Sequence, residues 1–245
     1  MLKLIPIFLL VVHNFIFSTA IAANSTKNSK DGAKKFPIAL TCVSDPKLQQ
    51  ARSLELQQLH AADQALRVNK NGEPIDFDKI DRNKMKKQDL AHRKRVGEIF
   101  GEGCLKSAAD YLAAALIYQH GDVPDHYYQT YIWTTRAIKL GINEVEVKSA
   151  KSMAALAIDR YLVSLGNKQL FGSQFYMAQL KDQCWCIEQV EPSFPDALRK
   201  EYLGQSLLER SRDSFAMFNK GKNCPNVECS KNLKPTPKGT ILGLW

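Results

Sequence analysis

The chain has 245 residues, 44% of them apolar, and a formal net charge of +9. That is enough apolar material to bury one sizeable core, so a single compact domain is the expected organisation. The positive excess is local, and no aromatic side chains are interleaved with it for base stacking, which argues against nucleic acid as a partner.

In chain order, residues 1–23 read MLKLIPIFLLVVHNFIFSTAIAA, with Lys3, an apolar run from Leu4 to Phe17, and the small residues Ala20, Ala22 and Ala23. This pattern predicts a cleaved signal peptide. The run falls short of the roughly 20 residues a membrane span needs, and Pro6, His13 and Asn14 interrupt it. No later stretch is apolar enough to span. The expectation is a soluble protein exported to the periplasm or the extracellular space. In an oxidising compartment Cys42, Cys104, Cys184, Cys186, Cys224 and Cys229 are expected to form disulfides. A local Cys224–Cys229 bridge fits the CPNVEC segment. Cys184 and Cys186, with only Trp185 between them, are each expected to reach a distant partner. The absence of CxxC argues against zinc and against a redox-active pair.

NSTKNSKDGAKK (24–35) is polar, with Lys27, Lys30, Lys34 and Lys35 against Asp31, and a disordered lead-in is expected over 24–40. A single all-α domain is expected over 41–218. Its first helix opens at Asp45-Pro46, an N-cap followed by proline, and runs to about Arg67. Leu48, Ala51, Leu59, Ala62 and Leu66 form its expected buried stripe. Gly72 and Pro74 break the chain. A second helix, from about Asp78 to Ile99, carries the basic stretch 79–95, where Lys79, Arg82, Lys84, Lys86, Lys87, Arg93, Lys94 and Arg95 oppose Asp81 and Asp89. That face predicts a solvated surface or, more sharply, an anion contact or a weak contact with an anionic membrane surface. GEGCLK (101–106) is a connector.

Ser107 and Asp110 have capping-box spacing and begin an alanine-rich helix expected to stop at a left-handed Gly121. Pro124 starts the next helix, which ends at Gly141 and folds back on its predecessor as an antiparallel hairpin. A helix over 145–165 ends at Gly166, the loop NKQLFGSQF follows, and a last helix is expected from Pro195 to about Phe218. Almost no strand signal is present. The fold expected is all-α, with antiparallel helices packed as a hairpin array or irregular bundle with long loops. Residues 219–245, where lysines again exceed acids, predict a basic, partly ordered tail.

Tyr118, Gly121, Val123, Asp125, Trp133, Ala137 and Gly141 resemble one Sel1-like or tetratricopeptide unit, but over one repeat only, whereas a solenoid needs about three. A second resemblance is carried by DQALR (63–67), QHG (119–121), DRYLVSLGNKQLFGSQF (159–175) and VEPSFPDALRKEYLG (190–204). Their order is similar to that in a family of uncharacterised bacterial proteins, known only as a domain of unknown function, with the pattern DQ..R, QH, DR and G..Q..GTQ. Ser173 stands where that pattern usually has Thr. The resemblance spans about 55–215 and implies a residue set without a chemistry.

The set comprises Asp63, Gln64, Arg67, Gln119, Gln169 and Gln174 as expected ligand-binding residues, and His120, Asp159 and Arg160 as expected catalytic ones. Carboxylates, amides, an imidazole and two guanidinium forks suit recognition of a small polar or anionic ligand or a peptide segment. They equally suit a buried network that locks helices and loop together. The alternative is a cell-envelope hydrolase or transferase, with His120 as general acid or base, Asp63 or Asp159 orienting it, and Arg67 or Arg160 stabilising negative charge. Ser173 lacks a nucleophile elbow. No metal-ligand pattern and no cofactor motif are present.

Overall fold

The computed structural model describes residues 41–72, 75, 80–177, 184–229 and 232–245. The expected signal peptide and lead-in (1–40) and Lys79 lie outside the described residues. Among the described residues the chain is predominantly helical, and no helix is long and apolar enough to cross a membrane.

Helix α1 spans Pro46–Gln64, and the Asp45 carboxylate caps it by accepting from the amides of Lys47 and Leu48, both at 3.0 Å. The inward face matches the expected stripe only in part, since Leu48 and Leu59 pack against the core. Leu56 and Asp63 are buried, whereas Ala51 and Ala62 are exposed. Long polar side chains with partners on neighbouring elements turn the helix that way. Arg52 pairs with Glu102, Glu55 with Arg95, and the Gln49 side-chain amide donates to the Cys104 carbonyl at 2.9 Å. Helix α2, Arg82–Gly101, is capped by Asp81 and buries Val96 and Ile99 together with Asp89 and Arg93. Lys84, Lys86, Lys87 and Lys94 stay exposed.

Helix α3, Ala108–Gln119, begins with the expected capping box between Ser107 and Asp110. Helix α4, Pro124–Leu140, returns antiparallel to it. The Thr130 hydroxyl donates to the Ala115 carbonyl at 3.1 Å, and the Tyr118 ring meets His126 and Trp133 edge-on. Gly121 is not left-handed, contrary to expectation. Its hydrogen is needed for space instead, since a Cβ there would stand 2.3 Å from the His126 Cβ. Helix α5, Glu144–Ser164, starts from a second capping box, Asn143 with Glu146, and is followed by Gly166 at φ +79°.

Beyond α5 the sequence reading and the structure part company in four places. A two-stranded antiparallel ladder, β1 (Phe175–Met177) with β2 (Trp185–Ile187), pairs Tyr176 with Cys186 and Met177 with Trp185. Three-residue strands are too short for period-two patterning to register. The expected last helix is two, α6 (Asp196–Leu203) and α7 (Leu207–Phe218), separated at Gly204 with φ +73°. A capping box between Ser206 and Glu209 restarts it. Third, Cys224 and Cys229 do not bridge each other; the disulfides are Cys42–Cys104, Cys184–Cys224 and Cys186–Cys229. Cys184 and Cys186, two positions apart at β2, do each reach a distant partner.

Fourth, the segment expected as a basic tail contributes to the core. Lys234 exchanges backbone hydrogen bonds with Gly166 and Lys168, and the Thr236 hydroxyl donates to the Lys168 carbonyl at 2.6 Å. Ile241 and Leu244 are buried against α5 and the 170–171 loop, and Trp245 packs edge-on against Phe194. Lys234 and Lys238 remain exposed. The lysines that dominated the sequence signal therefore point outward, and a few apolar residues among them dock. One apolar cluster unites α1, α2 and α3 with Trp133, and a second unites α4, α5, α6 and the C-terminal segment.

Candidate functional site

The polar residues singled out in the sequence fall into two adjoining groups. The first is the 166–175 loop and what holds it. Asp159 and Gln169 are both 0% exposed. One Asp159 oxygen accepts from the amides of Leu170 and Phe171 at 2.8 and 2.9 Å, and the other from the Ser173 amide at 2.8 Å. Gln169 donates to the carbonyls of Gln174 and Glu188 and accepts from the Gln174 amide at 2.7 Å. The outer carbonyls are taken up by arginines: Arg199 donates to Leu170 and Glu191, and Arg210 to Gly172. Burial pushes the Asp159 carboxyl above its ordinary range, against the downward pull of the Phe171, Ser173 and Leu170 amides. Both of its oxygens are engaged by backbone, which leaves none for orienting His120.

The second group surrounds the C-terminus of α3. A helix ends with carbonyls that lack intrahelical donors. Here two arginines from other helices supply them. Arg160 on α5 donates to the Gln119 carbonyl at 2.6 Å, and Arg93 on α2 donates to the His120 carbonyl at 2.7 Å. The Tyr127 hydroxyl adds a bond to the Gly121 carbonyl at 2.8 Å. Arg160 also lies 5.5 Å over the Tyr127 ring and meets no carboxylate among the described residues. Its position beside Gln119 joins the two groups.

Within this second group, His120 turns Nδ1 toward the Asp63 carboxylate, at 3.0 and 3.2 Å from its two oxygens. Asp63 is 0% exposed, whereas the His120 side chain is 23% exposed. Arg67 donates to an Asp63 oxygen at 3.1 Å and grips Asp89 with two bonds of 2.8 Å. Gln64 donates to the other Asp63 oxygen at 2.9 Å. Burial alone would raise the Asp63 pKa, but the hydrogen bond and charge of His120, the Arg67 charge and the Gln64 amide together hold it below the ordinary carboxylate range. An ionised Asp63 at Nδ1 favours a proton on that nitrogen and leaves Nε2 as the second functional atom. Nε2 has no hydrogen-bond partner among the described residues.

The His120 ring lines a cleft of about 590 Å³ between the start of α2, the α3–α4 turn and the β1–β2 ladder. Its walls carry Arg82, Lys86 and Arg93, the acids Asp89 and Asp122, and apolar Met85, Met177 and Trp185. Arg93 is paired to Asp122 at 3.0 Å, but Arg82 and Lys86 have no ion pair among the described residues.

DQALR and QHG therefore meet directly, through Asp63 and His120. The DR-to-GSQ segment joins them through Arg160, while Asp159, Gln169, Ser173 and Gln174 face one another in the loop. Sequence reasoning left Asp89, Arg93 and Asp122 off the site list, and of the cleft residues it listed His120 alone, although Arg82, Lys86, Asp89 and Arg93 stand in the basic stretch 79–95. A usable signal existed for two of them: Asp89 and Arg93 share one helical face with Val96, so charged residues recur on the inward period of α2. Nothing in the sequence announced that the short β ladder would form a wall. No family model, curated protein or solved structure matches this chain.

Proposed function

We propose that this is an exported helical protein that binds a small anionic ligand in the cleft beside His120. The observation that carries the reading is the meeting of three things at one cavity: an imidazole held by a buried carboxylate, two cationic side chains without ion-pair partners among the described residues, and an apolar wall. A cleft of about 590 Å³ falls within the roughly 300–1,000 Å³ of small-molecule sites, which combine apolar lining with a few convergent polar groups. Guanidinium and ammonium groups recognise carboxylate or phosphate by charge-assisted hydrogen bonds. Three disulfides support the exported half of the proposal, since such bridges persist in oxidising compartments. The test is an NMR titration with acetate and inorganic phosphate. Signals of His120 and the α2 start move in the proposal; unchanged signals there at saturating anion contradict it.

The Asp63–His120 contact favours a second reading, general acid–base catalysis in the same cleft. With Nδ1 engaged by Asp63, Nε2 would take a proton from water and return it to a leaving group. Asp63 would act as the orienting residue, with the loop-bound Asp159 taking no part. Screening acyl and phosphoryl esters for turnover that His120→Ala abolishes tests it; turnover equal in that variant rejects it.

A further inference from the structure

The lining of the cleft says more about its ligand than charge alone. Arg82 and Lys86 lie one turn apart on α2, both exposed and without an ion pair among the described residues. Apolar side chains come from both walls: Ile80 and Met85 from the α2 side, and the cross-strand neighbours Met177 and Trp185 from the ladder. Trp185 is fixed by stacking on Phe218 at 5.0 Å. Ile80 and Met85 also border a second pocket of about 210 Å³, where Leu66 and Ile75 continue the apolar surface. A bare inorganic anion would satisfy the two cations and leave this surface wet. Methionine side chains are flexible and adapt to chains of varied shape.

We infer that the ligand is a single-chain amphiphilic anion, a carboxylate or phosphate head on an alkyl chain. The head meets Arg82 and Lys86. The chain runs along Met85, Met177 and Trp185 toward the second pocket. This inference rests on the anion-binding reading above and narrows its ligand class.

The experiment is a calorimetric and NMR titration of the full chain with acetate, hexanoate, octanoate, decanoate and decyltrimethylammonium, below micelle-forming concentrations. Affinity should rise with chain length by about fourfold per buried methylene, so that decanoate binds at least tenfold more tightly than acetate. The double variant Arg82→Ala/Lys86→Ala, altered only at exposed side chains, should weaken decanoate at least tenfold. Met85→Gln should flatten the chain-length dependence and leave acetate unaffected. If acetate and decanoate bind equally, the amphiphile inference fails and the anion site stands. If neither binds, both fall. Decyltrimethylammonium binding as tightly as decanoate overturns the inference in favour of unselective apolar surface. So does sedimentation with phosphatidylglycerol vesicles that decanoate does not compete away, which assigns the basic residues to a membrane surface.

Discussion

Two buried aspartates, Asp63 and Asp159, sit in adjoining parts of one molecule, and their surroundings differ in kind. Asp159 is held by three backbone amides of a single loop, with every bond internal. Asp63 is held by side chains, one of which, His120, reaches a cleft. Burial prevails at Asp159 and raises its pKa, whereas His120, Arg67 and Gln64 prevail at Asp63 and lower it. Amide donors from the backbone fix a loop and have no second state to offer. Ionisable partners can exchange a proton or a ligand, so the capacity for function concentrates on the Asp63 side.

The largest effect separating the two regions should come from Asp159→Ala. It leaves the buried amides of Leu170 and Phe171 and the half-buried amide of Ser173 without acceptors, at about 1–3 kcal/mol each, so chemical denaturation should show a loss of at least about 3 kcal/mol. A loss below about 1 kcal/mol would mean that the loop is held by something else. Gly121→Ala should cost about 1–3 kcal/mol through overpacking against His126. Because that strain falls at the cleft, anion binding should weaken with it, whereas Ser173→Ala, which spares the backbone amide that Asp159 accepts from, should leave binding intact.

Asp63→Asn should cost about 1–2 kcal/mol at neutral pH, from weakened charge-assisted bonds to Arg67 and His120. The sign of its pH dependence follows from the lowered folded pKa. The stabilisation is present above the unfolded aspartate value of about 4 and is lost as pH falls through the folded value. Melting temperatures of wild type and variant should therefore converge on acidification. Curves that stay parallel would show that Asp63 contributes no charge. The smallest stability effect should be that of His120→Gln, within about 1 kcal/mol, accompanied by altered anion binding; strong destabilisation without a binding change would move His120 into the structural group.

How much of this was legible in the sequence depended on the range of the interaction. Caps are local, and Asp45 and Ser107 sit where the helix start and short-range spacing point; the Asn143–Glu146 box was passed over because the helix was expected to begin at 145. The Ser206–Glu209 box was equally local and was overlooked because one continuous helix was expected from Pro195 to about Phe218, with Leu198, Tyr202 and Leu208 facing inward, whereas Leu208 is exposed. Motif order brought Asp63 and His120 onto the same list, but not the knowledge that Asp159 serves backbone amides, since a carboxylate's partners cannot be read when they carry no side-chain identity. The cleft was illegible for a different reason: its walls are a helix start and a short ladder brought together only in the fold. Charge misled at the C-terminus, where exposed lysines concealed Thr236, Ile241 and Leu244, each of which docks singly.

The most direct measurement follows the His120 ring signals of wild type and Arg82→Ala/Lys86→Ala during titration with decanoate. In the wild type those signals should move and saturate, in the double variant they should move only at much higher concentration, and in both the amides of Leu170, Phe171 and Ser173 should stay still. Decanoate that shifts the 170–173 amides while His120 remains unmoved would contradict the division between a working cleft and a structural loop.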